Sequence, residues 1–245
     1  THVRQGITKL LKKGLKPQTT NRYKAGLSAV FSGYLDKDDC HKNPCRQVIS
    51  KTEGDGRKRI FSNEERTNFL TACKTSQWEQ LYLFALMGFA TGGRRGELLK
   101  LRWMDCQLNS ENPYAICIDT KNGKDKTIYF NAEIVAELKR FRGIGKAFVF
   151  RGVNGGTPYF RKSWISALKR AGIAELDSNG ERLGFHSTRH TFCTDLINAN
   201  VDVSIVQILA GHSNITTTQR YIHPNEDKKL EALKTFENIG VINYV

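Results

Sequence analysis

The sequence predicts a mainly α chain with one small antiparallel β-sheet, an α+β fold in two parts. Three observations carry that reading. Apolar residues recur at helical spacing through most of the 245 residues, the period changes to two only between 114 and 130, and the basic excess falls sharply near residue 60.

In the first part, QTTNRYKAGLSAVFSGYL sets Tyr23, Leu27, Val30, Phe31 and Tyr34 on one helical face, with Thr19 or Thr20 placed to cap. Residues 51–59, KTEGDGRKR, are polar, glycine-bearing and without an apolar period, which reads as a linker. FSNEERTNFLTAC then opens the larger part with a capping box, Ser62 and Glu65, ahead of an apolar helix. A second helix is expected over 77–90, and a third from Arg94 through GELLKLRW. YAICIDT and KTIYF alternate as strands around KNGKD, where Asn122-Gly123 is a hairpin signal. Helices resume at 131–142, 157–171 and 187–199, then at 202–210, stopped by Gly211, and at 214–222. The domain boundaries expected are 1–50, a linker at 51–60, 61–223, and a tail at 224–245 with a short amphipathic helix.

Composition narrows the partners. The formal net charge is +14, and residues 1–59 hold 14 of the 38 Lys and Arg against five of the 24 Asp and Glu. Such a balance favours a polyanion, because each cation set on a phosphate releases condensed counterions. A merely soluble basic protein is the plainer alternative. The six cysteines are scattered and mostly lie among apolar neighbours, as reduced core thiols of a cytoplasmic protein do. Cys40, His41 and Cys45 have no second pair at zinc-site spacing, so no metal is expected. The longest apolar run, LYLFALMGFA, is too short to cross a bilayer, and the N-terminus has no signal-peptide core. It also has no initiator methionine, as expected of a fragment or a processed chain.

The chemistry concentrates in residues 186–221. HSTRHTF puts His186 and Arg189 at i and i+3, LAGHSN puts His212 after the glycine that ends a helix, and TTTQRYIH brings Tyr221 nine residues later. Charge neutralisers, proton carriers and a nucleophile are what metal-free cutting of a phosphodiester requires. Taken singly, each has a plain reading as a core or surface residue. His190 is expected to face away from His186 and Arg189, and His2, His41 and His223 to be ordinary.

ATGGRRGELLKLRW, TKNGKDKTIYF, HSTRHTF, LAGHSNITTTQRY and the trailing IH resemble, in order, the active-site motifs of the tyrosine recombinases, the phage-integrase family. The match covers about residues 62–223, and TTNRYKAGLSAVFSGYL with NPCRQV resembles the end of that family's helical core-DNA-binding domain. Gly93 and Ala210 stand where bulkier apolar residues are frequent in the family.

The resemblance implies a site-specific recombinase that needs no cofactor, with Arg94, Lys121, His186, Arg189 and His212 catalytic and Tyr221 the nucleophile. It makes His186 and His212 donors to the scissile phosphate, and His186 also a helper in proton transfer from Tyr221. Lys121, at the mouth of the hairpin, is preferred over Lys124 and Lys126 as the proton donor to the departing 5′ oxygen. Glu97 supports Arg94, and Arg95 is a phosphate or surface contact. Lys16, Thr19, Asn21, Arg22, Lys24, Arg57, Lys58 and Arg59 are expected to face DNA. The partners implied are double-stranded DNA at specific sites, further copies of the chain as a tetramer on DNA, and DNA-bending accessory proteins, with the tail as an interface. An integrase of a phage or other mobile element is the leading reading. A Xer-type resolvase, a type IB topoisomerase-like enzyme and a non-catalytic DNA-binding regulator are the alternatives, and an RNA-binding protein is disfavoured by the absence of RNP or KH motifs.

Overall fold

The computed structural model describes residues 2–35, 42–53, 59–118, 123, 125–152, 155–156, 158–222, 229–230 and 233–234. The chain forms two compact units, Thr1–Arg57 and Lys58–Val245.

The first unit contains α1 (His2–Lys12) and α2 (Pro17–Leu35). Pro17 starts α2, a position where the missing N–H costs nothing and the fixed φ suits the helix. Thr20 is therefore not a cap. It lies inside the helix, fully buried, and donates its hydroxyl to the Pro17 carbonyl at 2.8 Å. Of the expected apolar face, Tyr23, Leu27, Val30 and Tyr34 are 41–59% exposed and Phe31 is half-buried. Ile7, Cys45 and Val48 are the unit's buried apolar residues among those described, and polar contacts tie the segment around Asn43 to α2. Asn43 donates to the Ser28 carbonyl (2.9 Å) and to the Ser28 and Ser32 hydroxyls, while its Oδ1 accepts from the Cys45 amide.

In the second unit, α3 (Asn63–Cys73) begins with the Ser62–Glu65 capping box, both reciprocal bonds being present. In α4 (Leu81–Thr91) ten of eleven residues are buried, as suits an apolar helix at the centre of a core. It stops at Gly92 in the left-handed region, φ +59°. α5 (Arg95–Lys100) is shorter than its pattern predicts. Leu101 turns extended, its carbonyl accepting from the Val149 amide (2.8 Å), and the Trp103 amide donates to Ala147 (3.0 Å), so pairing with 147–149 replaces helical bonds.

A 3-10 turn at Trp103–Asp105 leads into the antiparallel sheet β1 (Cys106–Gln107), β2 (Tyr114–Cys117) and β3 (Lys126–Tyr129), in that order. Ala115 pairs with Ile128 and Cys117 with Lys126, and these four are the buried side of the last two strands. The expected strand ends and Asn122 lie at 119–122 and 124, outside the described residues. Helices α6 (Ala132–Arg140), α7 (Arg161–Arg170), α8 (Phe185–Asn198), α9 (Val203–Ala210) and α10 (Ile215–Gln219) follow. α7 starts four residues later than its pattern predicts, and α10 ends before Tyr221, which sits in the turn beyond it.

The main core is aromatic, with Phe84 and Phe185 stacked at 4.3 Å where α4 meets α8. These helices touch at Gly88, where an added Cβ would lie 2.5 Å from Thr188 Oγ1. A smaller cluster of Cys193, Ile197, Val206 and Ala210 underlies α8 and α9, and Tyr221 packs on it. Cys45, Cys73, Cys117 and Cys193 are buried free thiols, Cys106 is half-buried, and Cys40 lies outside the described residues. Among the described residues, no helix is long and apolar enough to cross a membrane, and no cluster of His, Cys, Asp or Glu could hold a metal.

Candidate active site

The site is organised by the C-terminal end of α9. The last carbonyls of a helix have no intrahelical partner and carry the negative end of its dipole, so they attract cations. Here the Ala210 and Gly211 carbonyls receive three cationic side chains from distant elements. Arg189 of α8 donates through Nη1 to Ala210 O, and through the same nitrogen to Gly92 O at 2.7 Å. Lys126 of β3 donates to Ala210 O at 3.2 Å. Arg94, just before α5, donates through Nη2 to Gly211 O at 2.8 Å. Gly211 makes this possible, since at φ +68° it turns the chain left-handed while the His212 amide returns to the Gln207 carbonyl.

Glu97, 7% exposed, braces this arrangement. Its Oε1 accepts from Arg94 Nη1 (2.6 Å), its Oε2 accepts from the Arg94 amide (2.9 Å), and Lys126 Nζ lies 3.9 Å away. Burial pushes its carboxyl up, but the two Arg94 hydrogen bonds and the nearby Lys126 outweigh that and hold it below the usual carboxylate range. Arg189 is 2% exposed, and burial, then Arg94, lower its pKa. Its Nη2 is buried and has no hydrogen-bond partner among the described residues, a costly state for a guanidinium N–H.

His212 has its Nδ1 2.9 Å from the buried Thr218 hydroxyl, and its ring lies parallel to that of Tyr221, centroids 6.2 Å apart. Burial, followed by Arg189, Arg94 and Lys126, pushes its pKa down to about 3, so the imidazole is neutral. Tyr221 is pushed up to about 12 by burial and by Cys193, against the opposing pull of Arg189. Its hydroxyl is hydrogen-bonded to His190 Nδ1 at 2.7 Å. His190 in turn meets His186 edge-on, ring centroids 4.5 Å apart.

The His190 contact corrects the expectation that this residue faces elsewhere. His186 and His190 are i and i+4 on α8 and share a face, while Arg189 turns into the core and His186 stays exposed. The i+4 spacing was the signal that pointed to it. Lys126 is the second missed residue. Set aside in favour of Lys121, it reaches into the site from the buried side of the sheet, its Cδ 3.0 Å from where a Cβ on Gly211 would lie. Lys121 and Lys124 lie outside the described residues. Gly93, unusual for the motif, is matched locally, since an added Cβ would lie 2.8 Å from Leu98 Cδ2.

Several residues expected to face DNA are engaged within the protein instead. Lys24 donates to the Val48 carbonyl and the Ser50 hydroxyl, and Asn21 exchanges hydrogen bonds with Lys51 and reaches Glu53, so both pin the segment after residue 47 onto α2. Arg59, its side chain 13% exposed, bonds through its amide to the Glu181 carboxylate (2.9 Å) and pairs with Glu65 (3.6 Å). The polar groups of these three have partners within the protein in this structure. Lys16, Thr19, Arg22 and Arg95 are exposed, and Arg57 and Lys58 lie outside the described residues.

Burial pushes the Lys126 pKa down to about 8, against the opposing pull of Glu97. A buried ammonium at neutral pH costs stability, so Lys126→Met is expected to fold with equal or greater resistance to urea at pH 7. The rate of whatever chemistry the site performs should fall by about 10²-fold in the same variant, through misplacement of the Gly211–His212 turn. Between pH 8 and 10.5 the unfolded lysine holds the proton that the folded one has lost, so wild type should gain on the variant as pH rises through that window. Parallel urea titrations at pH 7 and 9.5 check this, and a difference independent of pH would contradict the burial of a charged lysine.

The model of the phage integrase family matches residues 59–228. The chain is 25% identical, over 286 aligned positions, to a tyrosine recombinase XerC-like protein of Caldanaerobacter subterraneus subsp. tengcongensis, covering 98% of this chain and 71% of that one. It is 31% identical over 155 residues to a probable integrase/recombinase protein of Methanocaldococcus jannaschii, covering 59% of this chain and 46% of that one. It therefore spans under half of that relative. Among solved structures, the Tn1549 transposon integrase in complex with transposon right end DNA superposes with a TM-score of 0.75 at 22% identity, over 96% of this chain and 84% of that one. At that identity the likeness is one of fold.

Proposed function

The chain belongs to the phage integrase family, and from that premise we propose that Tyr221 attacks a DNA phosphodiester at a specific site, leaving a 3′-phosphotyrosyl enzyme and a free 5′ hydroxyl. It is a site-specific recombinase, an enzyme that breaks and rejoins DNA. The observation that carries the assignment of Tyr221 is its place at the end of a contact chain that links Arg94, Arg189, His212 and His190 to its hydroxyl and ring.

Transfer at phosphorus gathers negative charge on the non-bridging oxygens, and fixed donors aimed there lower the barrier. Arg94 and the unpartnered Nη2 of Arg189 supply such donors. Thr218 donates its hydroxyl to His212 Nδ1 in this reading, which leaves the Nε2 hydrogen for a phosphate oxygen. His186, exposed beside them, donates to the same phosphate. Lys121 keeps the role its motif implies, protonating the departing 5′ oxygen. The phosphotyrosyl bond conserves the energy of the broken linkage, so religation needs no ATP.

Lys16, just before α2, and Thr19 and Arg22 in its first turns, all exposed, contact phosphates in the same proposal. Four copies on two DNA sites would exchange strands through a four-way junction, with DNA-bending proteins as accessories, in the cytoplasm where the DNA lies. The setting is a phage or other mobile element, a reading supported by the fold likeness to the Tn1549 transposon integrase. The XerC-like relative favours a Xer-type resolvase as the second reading. Plasmids carrying element ends or paired resolution sites separate the two by their products.

The decisive assay for the chemistry uses nicked suicide duplexes carrying the element junction, in EDTA. Wild type should form an SDS-resistant protein–DNA adduct, and Tyr221→Phe, which still binds the duplex in gel shifts, should form none. An adduct with the phenylalanine variant, or no adduct with wild type, overturns the assignment.

A further inference from the structure

We propose that His190 is the base that takes the Tyr221 proton during strand cleavage, a role that deepens and rests on the reading of Tyr221 as nucleophile. Its Nδ1 lies 2.7 Å from the tyrosine Oη, inside the reach that proton transfer requires. For the phenol to donate across this contact, His190 carries its own hydrogen on Nε2 and presents a lone pair at Nδ1.

The other titratable and charged groups around Tyr221 are poorly suited to the task. His212 lies parallel to the tyrosine ring, and its Nδ1 is engaged by Thr218. Arg189 and Arg220 are cations and accept no proton. Cys193, buried beneath the tyrosine on α8, has its thiol pKa raised by burial and stays protonated. Lys126 is held at the Ala210 carbonyl. His186 is one ring further out, edge-on to His190 and exposed, so it offers the outward end of a two-imidazole path to water.

The step balances without any further reactant. A lone pair on Tyr221 Oη forms the bond to phosphorus as its proton passes to His190 Nδ1. The P–O5′ bond breaks, and the 5′ oxygen takes its proton from the acid assigned above to Lys121. Religation runs the same path backwards, the 5′ hydroxyl displacing the phenolate while the His190 imidazolium returns its proton. The developing positive charge on His190 is offset by the phosphate that the same site has just gathered.

The test measures single-turnover cleavage of suicide duplexes by the intact chain, with an ordinary scissile phosphate and with a 5′-bridging phosphorothiolate, whose sulfur leaves without a proton. His190→Gln keeps a hydrogen-bonding side chain that cannot act as a base. It should cut 10²-fold or more slower on both substrates. A histidine base works only while it is neutral, so the wild-type rate should fall as pH is lowered through the range in which imidazoles ordinarily take up a proton, and the glutamine variant should lose that limb. Lys121→Ala serves as the contrast, slow on phosphate and rescued by sulfur.

A glutamine variant as fast as wild type reduces His190 to a positioning group, a faster one makes it a latch, and rescue by sulfur moves it to the leaving group. Each overturns the proposal, as does a wild-type profile with no acid limb, which needs no variant to fold. Normal wild-type adducts on Tyr221 beside an unaffected glutamine variant would sink this inference alone, whereas loss of the wild-type adduct would sink the reading beneath it.

Discussion

Arg189→Met is expected to slow formation of the covalent DNA adduct by about three to five orders of magnitude, the range over which a transition-state arginine acts in phosphoryl transfer. Two features make the expected loss large. The side chain is 2% exposed and fixed at both Gly92 O and Ala210 O, so its guanidinium is preorganised at no cost during reaction. Its Nη2 has no protein partner among the described residues, which keeps one donor for the phosphate. Ala210 O retains Lys126 in the variant, so the turn at 210–212 keeps one of its cationic contacts. Arg189→Lys should recover little, because an ammonium lacks the second nitrogen of the fork. Single-turnover rates beside gel-shift affinities check this, and cleavage within tenfold of wild type with either variant would remove Arg189 from the chemistry.

Gly92→Ala is expected to destabilise the second unit by roughly 2–4 kcal/mol, combining the cost of a left-handed backbone for an L residue with overpacking. At φ +59° an added Cβ would lie 2.5 Å from Phe192 Cδ1, on a ring that itself packs beside the smaller core cluster. For a unit of this size that corresponds to a fall in Tm of about 5–15 °C. Activity should fall further than stability explains, because the Gly92 carbonyl is one of the two that hold Arg189. Thermal unfolding and cleavage rates of Gly92→Ala and Gly92→Ala/Phe192→Leu separate the causes. The second change relieves the ring contact and should restore part of the stability, and an unchanged Tm in the single variant would contradict the close approach.

Much of the architecture is local and was therefore legible. The Ser62–Glu65 box, the alternation of β2 and β3, and the glycine stop after α9 are each settled by neighbours within a few residues. The order of motifs also nominated Arg94, His212 and Tyr221, residues whose contacts meet at the α9 terminus. The exposed face of α2 shows the limit of periodicity. A period of 3.6 places Tyr23, Leu27, Val30 and Tyr34 on one side, but whether anything covers them depends on elements elsewhere in the chain. Asn21, Lys24 and Arg59 show the same limit for charge, since the sequence does not say whether basic and polar side chains near a linker meet DNA or, as here, a carbonyl 24 to 122 residues away.

By itself the sequence determined the helical class, the single small sheet and the succession of residue types able to cut a phosphodiester, because helix caps, strand alternation and motif spacing are short-range properties of the chain. Tertiary structure alone decided which cations converge. Arg94, Lys126 and Arg189 lie 117, 84 and 21 residues from the adjoining Gly211 and Ala210 carbonyls they bind, and what draws them there is the unsatisfied, negative end of α9. It likewise decided that His190, beside the buried Arg189 in the chain, is the imidazole at the tyrosine hydroxyl.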